Sequence, residues 1–455
     1  MLTEFHIGID DTDSKLGGCT TYTATLILEE LLTRKLGLSD FPWLVRLNPN
    51  IPWKTRGNGA LAIHLRTDTS RLEEIEQLAL GVVEKTSDPS IPSTDPAVVF
   101  LQGTIPHELE SFTTQALHDV IRLEEAERLV KRVGADAHTF SGRRGIIGAL
   151  AAIGYSSNRD HTYEIIAYRT RENLGKPRRV DLDSVRKMDL HRQGQTFNNV
   201  DPETGRVLIC PHGPDPVLLG IRGEDPESLL MALREIQVQE PIDRVMLFKT
   251  NHGTDAHLTY ETNIDKVSPH QSVVVAGTIE THPVILKGGH VIFKLYDETG
   301  SIDCAAYEPT GSLRRTVLEL ISGDRVRALG GVRRRPLGQL SLNLEKLEVL
   351  ELIDHVNMVR PRCTECGSSC ESMGKNQGLR CRKCGLRFSR DSIRAVVINR
   401  PLKKGMYFPP PRAHRHLTKP ASRYARPSTG LPWSEEHGSH DWESLLSSTT
   451  RRLRA

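Results

Sequence analysis

The stretch Ile7-Gly-Ile-Asp-Asp-Thr-Asp-Ser14, followed by Gly17-Gly-Cys-Thr-Thr-Tyr22, decides the fold at the start of this chain. Phe5, Ile7 and Ile9 alternate with His6 and Gly8, which predicts a half-buried β-strand. Asp10, Asp11 and Asp13 follow at the carboxyl end of that strand. The glycine pair gives a flexible backbone, and an apolar stripe beyond it predicts a helix. The predicted unit is therefore a strand, an acidic turn and a helix.

The acidic turn concentrates three carboxylates that repel one another unless a cation compensates them. Mg²⁺ suits this position because it accepts one or two protein carboxylates together with phosphate oxygens. The N-terminus of the following helix adds a favourable place for an anion. We therefore predict that Asp10, Asp11 and Asp13 hold magnesium and the phosphates of a nucleotide. The structural alternative is an acidic turn with capping residues.

Length and composition describe a protein of several ordinary domains. A chain of 455 residues, 38% hydrophobic and 26% charged, suggests two to four domains. No run of about 18 apolar residues occurs, so no membrane span is expected. The N-terminus enters a strand almost at once, which argues against a signal peptide. The cysteines favour a reducing, cytoplasmic compartment because four of the eight form one metal pattern.

The first 195 residues predict a mixed α/β domain, and residues 196–268 predict a small ferredoxin-like domain. In the first domain we expect strands at Leu44–Leu47, Ala60–Leu65 and Tyr163–Tyr168, with helices at Leu72–Glu84 and Thr114–Arg132. In the second we expect strands at Val207–Cys210 and Val245–Thr250, with a helix at Pro226–Glu235.

Residues 269–355 predict an OB-fold, because five strands surround a short helix that follows the third strand. Such barrels bind nucleic acid or sugars, although some serve only as spacers. Arg333-Arg-Arg335 falls between the last two strands, where a ligand-binding loop is expected. We therefore favour nucleic acid as its ligand.

Residues 356–400 predict a zinc ribbon, since two Cys-x₂-Cys pairs stand fourteen residues apart. The expected ligands are Cys363, Cys366, Cys381 and Cys384, with Cys370 as a spare or a substitute. Thirteen Lys or Arg residues between positions 360 and 412, against three acidic ones, predict phosphate contacts or simply a solvated face. Four thiolates leave no open position, so a zinc deaminase is excluded. Residues 401–455 predict a basic, extended tail, and the sequence leaves open whether it is ordered without a partner.

No P-loop motif occurs, so cationic side chains must help to bind phosphates. The expected ATP and phosphate ligands are Lys54, Arg56, Gly57, Asn58, Arg143, Arg144 and Gly145. A solvated loop is the alternative for Lys54 and Arg56. His252 and His257 predict either a metal or catalytic pair or two structural histidines, and we favour the structural interpretation.

Further ordered segments extend these patterns over nearly the whole chain. They include Cys19-Thr-Thr-Tyr22, Arg46-Leu-Asn-Pro49, Lys54-Thr-Arg-Gly-Asn-Gly-Ala60, Ile147-Gly-Ala-Leu-Ala-Ala152, Gly220-Ile-Arg-Gly-Glu224, Thr250-Asn-His-x-Thr-Asp255, Leu342-Asn-Leu-Glu-Lys346 and Arg415-His-Leu-x-Lys-Pro420. At these segments, at Gly8-Ile-Asp-Asp-Thr-Asp-Ser14 and at the cysteine quartet, the chain resembles the archaeal tRNA(Ile) agmatidine synthase family.

The resemblance implies an α+β multidomain protein with a kinase-like α/β catalytic domain, a ferredoxin-like domain, an OB-fold and a zinc ribbon. It implies an ATP-dependent ligase that phosphorylates O2 of the wobble cytidine of an isoleucine tRNA with a CAU anticodon. Agmatine then displaces the phosphate at C2, and the modified anticodon reads AUA. The family's self-phosphorylated threonine corresponds to Thr20. Agmatine is dicationic and needs a carboxylate, for which Asp201, Glu224 and Asp255 are our candidates.

Two other classes of function compete with this hypothesis. A non-catalytic nucleic-acid-binding protein would explain the OB-fold and the ribbon but would leave the acidic N-terminal turn without a role. A kinase acting on another RNA or a small substrate would use that turn but would need no agmatine.

Overall fold

The computed structural model describes residues 1–92, 94–156 and 158–424. Its N-terminal part is a sheet covered by helices on both faces. The elements are β1 (Leu2–Asp10), α1 (Thr20–Thr33), β2 (Trp43–Arg46), β3 (Gly59–Asp68), α2 (Leu72–Thr86), β4 (Ala97–Gln102), α3 (His107–His118), α4 (Leu123–Val133), β5 (Asp136–Thr139) and α5 (Gly145–Ile153).

Strand β1 lies at the centre of this part, paired antiparallel with β3 on one side and β4 on the other. Phe5, Ile7 and Ile9 pack into one core together with α1 and α2. The prediction of a half-buried strand was wrong, because α5 covers the opposite face. A Cβ on Gly8 would lie 2.2 Å from the carbonyl oxygen of Ala149, so α5 packs directly against the backbone of β1. Both faces of the strand are therefore buried.

The next elements continue the same sheet. They are β6 (Thr162–Arg169), α6 (Leu182–His191), β7 (Thr196–Phe197), β8 (Val217–Gly223), α7 (Pro226–Glu235) and β9 (Ile242–Thr250). The strand order is β5-β4-β1-β3-β2-β9-β6-β8-β7, and a short parallel pairing of β2 with β9 joins the two parts. Strand β6 pairs with β8 and β9, so the sheet shows no break at residue 195.

Two predicted elements in these parts were wrong. The single helix expected over residues 114–132 is divided into α3 and α4, since residues 119–122 leave the helical conformation. The strand expected at Val207–Cys210 is one isolated bridge from Val207 to Val200, and the strand that precedes α7 is β8. The strand at 245–250 and the helix at 226–235 were confirmed within β9 and α7.

Residues 272–351 form the predicted OB-fold barrel. Its elements are β10 (Ser272–Ile285), β11 (Val291–Tyr296), β12 (Ser301–Ala306), α8 (Ser312–Leu318), β13 (Arg325–Arg334) and β14 (Leu340–Glu351). The parallel pairing of β12 with β14 closes the barrel around its own apolar core. The predicted helix after the third strand is α8, so the OB-fold order was confirmed.

The zinc ribbon is inserted between two paired strands that leave the barrel. These are β15 (His355–Val359) and β19 (Arg394–Ile398), and the ribbon itself contains β16 (Cys370–Ser372), β17 (Leu379–Cys381) and β18 (Arg387–Phe388). Arg400 anchors the returning chain, because its guanidinium donates to both oxygens of the buried Asp324 at 2.6 and 2.9 Å.

Residues 401–424, which were predicted as an extended tail, pack against the other domains. Strand β20 (Gly405–Tyr407) adds to β14, and the chain then runs back over the other domains to a short helix, α9 (Ala421–Tyr424). We call residues 409–424 the strap. Its basic residues find internal acidic partners, which explains why it packs without nucleic acid. The prediction for 425–455 lies outside the described residues.

Candidate active site

The turn after β1 places two carboxylates in an enclosed environment. Burial and the neighbouring Asp11 raise the pKa of Asp10 well above its usual range. Burial also raises the pKa of Asp11 to about 7, although its carboxylate accepts a hydrogen bond from the Asp95 amide at 2.8 Å. Asp11 has a left-handed backbone with φ of 57°, a conformation that short polar residues tolerate. A cation bound here would favour the charged form of both groups.

Asp13 faces a different partner from Asp10 and Asp11. Arg56 donates to one of its oxygens from Nε at 2.8 Å and from Nη2 at 2.6 Å. The hydroxyl of Thr55 donates to the other oxygen at 2.9 Å, and that of Thr20 at 3.3 Å. Asp13 is thus already compensated, and it links the predicted phosphorylation site to the 54–59 loop.

The three aspartates do not form one compact ligand set. Within the described ranges, the cysteine quartet is the one group of three or more Cys, His, Asp or Glu residues whose ligand atoms lie within 4.8 Å of one another. Asp10 and Asp11 remain available to bind a cation together with phosphate oxygens. Mg²⁺ commonly takes one or two carboxylates from a protein, so these two residues are sufficient.

A cavity of about 670 Å³ opens at this turn. Its walls include every predicted catalytic and phosphate-binding residue except Arg143. Those that line it are Asp10, Asp11, Asp13, Thr20, Lys54, Arg56, Gly57, Asn58, Arg144 and Gly145. Arg143 is exposed instead and pairs with Glu127 at 2.9 Å, on the far side of the turn that starts α5. Arg144 lies over the ring of Trp53, 4.1 Å from its centroid, at the cavity wall.

The rear wall of the cavity is a buried network of charged and aromatic groups. Glu164 accepts from Nε of Arg222 at 3.1 Å, and its other oxygen lies 2.7 Å from Nδ1 of His252. Burial alone would raise the pKa of Glu164, but His252 and Arg222 lower it overall. Nε of Arg46 donates to Nε2 of His252 at 2.9 Å. Burial lowers the pKa of His252 to about 4, so it is neutral at physiological pH.

His416 completes the rear wall from the strap. Its ring stacks on His252 with centroids 4.7 Å apart and an interplanar angle of 15°. Backbone hydrogen bonds hold this part of the strap, because the amide of Gly253 donates to the His416 carbonyl at 2.9 Å and that of Asp255 to Leu417 at 2.8 Å. The cavity is therefore built partly from a segment more than 160 residues away from His252 in sequence.

The three carboxylates predicted to bind agmatine do not line the cavity, and each has a cationic partner. Asp201 is fully buried and pairs with Arg412 at 2.9 Å. Glu224 pairs with Arg423 at 2.7 Å. Asp255 pairs with Lys346 and also accepts from the Lys419 amide at 2.7 Å.

Strand β14 connects these ion pairs through two consecutive residues. Glu345 lies 2.9 Å from Nε2 of His257 and 3.1 Å from Nε of Arg415. The fully buried Lys346 contacts Asp255 and donates to the Lys419 carbonyl at 2.8 Å. The OB-fold, the segment after β9 and the strap therefore meet in one charged junction. His252 lies beside Glu164 and His257 beside Glu345, and the structural interpretation of both histidines stays a prediction.

The four cysteines are arranged as a zinc site requires. Their sulfur atoms are separated by 3.4 Å (Cys363 to Cys384), 3.4 Å (Cys366 to Cys381) and 3.7 Å (Cys366 to Cys384). A tetrahedral site with zinc–sulfur bonds of about 2.3 Å has sulfur atoms about 3.8 Å apart, so the quartet fits zinc. Cys370 is buried beside the quartet but does not belong to it.

Sequence reasoning missed several cavity residues. Asp95 and Asp119 line the cavity without standing in any recognised motif. Glu164 had a detectable signal, because a lone acid in the middle of a fully buried strand requires a polar partner. Trp53 and His416 stand inside or beside matched segments, but nothing in the spacing indicated that they face one cavity.

Family models match four successive parts of the chain. They are the TiaS TCKD domain over residues 6–142, the TiaS FLD domain over 143–257, an OB-fold nucleic acid binding domain over 263–350 and the TiaS C-terminal zinc ribbon domain over 360–402. The second match begins well before residue 196, in agreement with the pairing of β6 with β8 and β9.

Similar proteins and solved structures cover most of the chain. The 2-agmatinylcytidine synthetase TiaS of Methanocaldococcus jannaschii, whose name specifies an isoleucine tRNA, is 43% identical over 421 residues, covering 91% of this chain and 97% of that protein. Its namesake from Pyrococcus horikoshii is 41% identical, covering 91% and 96%. A solved complex of TiaS with its isoleucine tRNA and ATP superposes with a TM-score of 0.83 at 37% identity, covering 92% of this chain and 97% of that one. A second complex, of TiaS with the same tRNA, AMPCPP and agmatine, gives 0.80 at 35%, covering 92% and 96%.

Helices long and apolar enough to cross a bilayer do not occur in residues 1–92, 94–156 and 158–424.

Proposed function

Because this chain belongs to the TiaS family of tRNA 2-agmatinylcytidine synthetases, we propose that it joins agmatine to C2 of the wobble cytidine of an isoleucine tRNA. The reaction consumes ATP, and the tRNA carries a CAU anticodon. The observation that carries this proposal is the solved TiaS complex with isoleucine tRNA, AMPCPP and agmatine, whose fold this chain shares over 92% of its length.

ATP supplies the phosphate that turns O2 of cytosine from a poor leaving group into a good one. We propose that Asp10 and Asp11 hold Mg²⁺ with the triphosphate, since burial leaves both carboxylates in need of a cation. When bound, the ion neutralises phosphate charge. Lys54, Arg56 and Arg144 add positive charge at the same cavity. We retain Arg143 as a ligand only if it leaves Glu127 when nucleotide binds.

We propose Thr20 as the phosphorylated threonine of the enzyme. Its hydroxyl donates to Asp13 at 3.3 Å and lines the cavity, so Asp13 is placed to accept the proton of the attacking oxygen. Arg56 keeps Asp13 in this position through two hydrogen bonds. The kinase-like description of the catalytic domain belongs to this proposal.

Agmatine needs a carboxylate that can be reached from the cavity. For Asp201, Glu224 or Asp255 to bind it, each would first have to release an internal cation. Asp95 and Asp119 line the cavity and have no ion pair among the described residues, so we add both to the candidates. Asp119→Asn should raise the KM for agmatine, whereas Asp201→Asn should loosen the strap without changing that KM. The reverse result would favour the original set.

The OB-fold and the zinc ribbon are proposed to bind the tRNA body, largely through its phosphates. Arg380 and Arg382 share Glu371 on the ribbon, and their side chains are 59% and 64% exposed. We propose a cytoplasmic location, where the cysteine thiols stay reduced for zinc. We also keep the division into 1–195, 196–268, 269–355, 356–400 and 401–455 as a proposal, although strand pairing favours an earlier first boundary.

One assay separates this function from its rivals. The protein is incubated with ATP, agmatine and total archaeal tRNA, and the nucleosides are then analysed by mass spectrometry. An agmatine-dependent mass gain on cytidine is expected. Transfer of the γ-phosphate to RNA without any effect of agmatine would support a kinase, and tRNA binding without either product would support a binding protein.

A further inference from the structure

The His416 residue is exposed and lines the cavity. One of its faces stacks on His252, and its Nε2 packs so closely on the 54–59 loop that a Cβ on Gly57 would lie 2.7 Å away. Within the described ranges the ring has no hydrogen-bond partner. A nitrogen of this imidazole is therefore free to meet a molecule in the cavity.

Three cations and one neutral histidine surround His416, and they come from four separate elements. They are Arg46 at the end of β2, Arg222 in β8, His252 after β9 and Lys54 in the loop before β3. Burial, together with these groups, holds the pKa of His416 well below its usual range. The ring is therefore neutral near physiological pH, and before substrate binds, burial and the neighbouring cations oppose its protonation. A phosphorylated tRNA in the cavity would bring negative charge to these cations and would make His416 more basic.

We infer that His416 is the catalytic base of the second step, in which agmatine replaces phosphate on the cytosine. This inference rests on the proposed function. Agmatine arrives as an ammonium ion, and His416 accepts one of its protons. The freed lone pair forms the bond from nitrogen to C2, the C2–O2 bond breaks, and the phosphate leaves with that electron pair. The second proton lost by the nitrogen goes to the departing phosphate, and His416 later returns its own proton to water.

The chemistry requires such a base because a primary ammonium ion has no lone pair with which to attack. Three neighbouring groups suit this role less well. Glu164 is held as an anion by Arg222 and His252, and His252 is enclosed by Arg46 and Glu164. Asp13 is held by Arg56 beside Thr20, and its proposed role is in the phosphorylation of that threonine. His416 combines a neutral ring, an unpaired nitrogen and access to the cavity.

Two substitutions remove the basic nitrogen of the ring while each keeps another of its properties. His416→Gln keeps hydrogen-bonding groups, and His416→Phe keeps a ring that can stack on His252. Both variants should slow agmatine addition to phosphorylated tRNA by about 100-fold or more, the usual contribution of a base. Both should still transfer γ-phosphate to tRNA when agmatine is omitted. If the Gln variant fails to fold, His416→Asn takes its place.

The decisive measurement compares the reaction rates with two amine substrates. An aminooxy analogue of agmatine keeps the guanidinium but carries a nitrogen that is already unprotonated at neutral pH. With this analogue, the His416 variants should approach the rate of the unmodified enzyme, because no ammonium proton has to be removed. A purely positioning role would slow both amines equally.

His414→Gln is the matched control, since His414 lies on the same strap, outside the cavity, and contacts the Pro409 carbonyl at 3.0 Å. For the His414→Gln variant, the ratio of the rate with agmatine to the rate with the aminooxy analogue should equal the ratio for the unmodified enzyme. Retention of the agmatine rate by His416→Phe, or equal losses for both amines, would overturn the inference. An unmodified enzyme that made no agmatidine would instead refute the proposed function, so the two failures can be told apart.

Discussion

Removing Arg423 should loosen the strap, and the structure allows the size of the effect to be worked out. The Arg423 side chain is only 3% exposed and pairs with Glu224 and Asp160, which are 30% and 26% exposed. It also donates to the carbonyl oxygens of Gly253 and His161. Breaking a buried ion pair costs about 3–5 kcal/mol. Both carboxylates keep some contact with water and can be rehydrated, so about 2–3 kcal/mol is the better expectation for Arg423→Met.

Hydrogen exchange measured by mass spectrometry tests this value on the intact protein. A loss of about 2–3 kcal/mol corresponds to strap opening that is about 30 to 150 times more frequent. Amide protection should fall in the strap and at Gly253 and Asp255, whose amides donate to strap carbonyls. Arg132→Met is the control, because Arg132 forms an ion pair with Glu108 in which both side chains are at least 60% exposed. Equal protection in the two variants would refute the role given to Arg423.

Three further predictions concern zinc, magnesium and pH. Cys381→Ser should lose zinc, as measured by atomic absorption, and should bind tRNA more weakly. Cys370→Ser is the control and should keep its zinc, because Cys370 lies outside the quartet. An unchanged zinc content in Cys381→Ser would contradict the site. Asp11→Asn should abolish ATP consumption but leave tRNA affinity in a filter-binding assay nearly intact, and normal turnover would exclude the magnesium role. Burial lowers the pKa of His64, which lies 2.8 Å from the His6 ring, to about 3. The neutral pair therefore stabilises the fold above pH 6.5, and this contribution is lost as the pH falls from 6.5 towards 3. Urea titrations from pH 7 to 4 measure the free energy of unfolding. For His64→Leu this free energy should change with pH less steeply than for the unmodified protein, by up to about 1.4 kcal/mol per pH unit. Parallel curves for the two proteins would contradict this prediction.

The sequence predicted most reliably what depends on neighbouring residues. The strands and the helix of the OB-fold follow from local alternation and turns, and the cysteine quartet follows from spacing alone. The Asp10 turn and the 54–59 loop face one cavity because β1 and β3 are paired.

What the sequence could not predict depends on contacts between distant segments. The three acids chosen for agmatine stand in polar, motif-rich loops, and only the folded chain reveals that internal cations, two of them from the strap, neutralise them. The strap cations also made the C-terminal segment look like a nucleic-acid-binding tail, because charge composition does not identify the partner. Glu345 and Lys346 illustrate this limit of sequence reasoning. They are consecutive residues of β14, yet Glu345 pairs with Arg415 and Lys346 pairs with Asp255.

The strap also links the stability prediction to the chemistry. Arg423 holds the segment that carries His416, and the Gly253 amide donates to the His416 carbonyl at 2.9 Å. When the strap opens, the imidazole leaves the cavity, so Arg423→Met should slow agmatine addition more than phosphate transfer. In a protein that already carries His416→Gln, strap opening removes no imidazole, so Arg423→Met should not slow agmatine addition further by this route. The double variant of Arg423→Met and His416→Gln should thus add agmatine no more slowly than His416→Gln alone. Additive losses in single-turnover assays would mean that Arg423 acts on the cavity by another route, through Glu224 or Asp160.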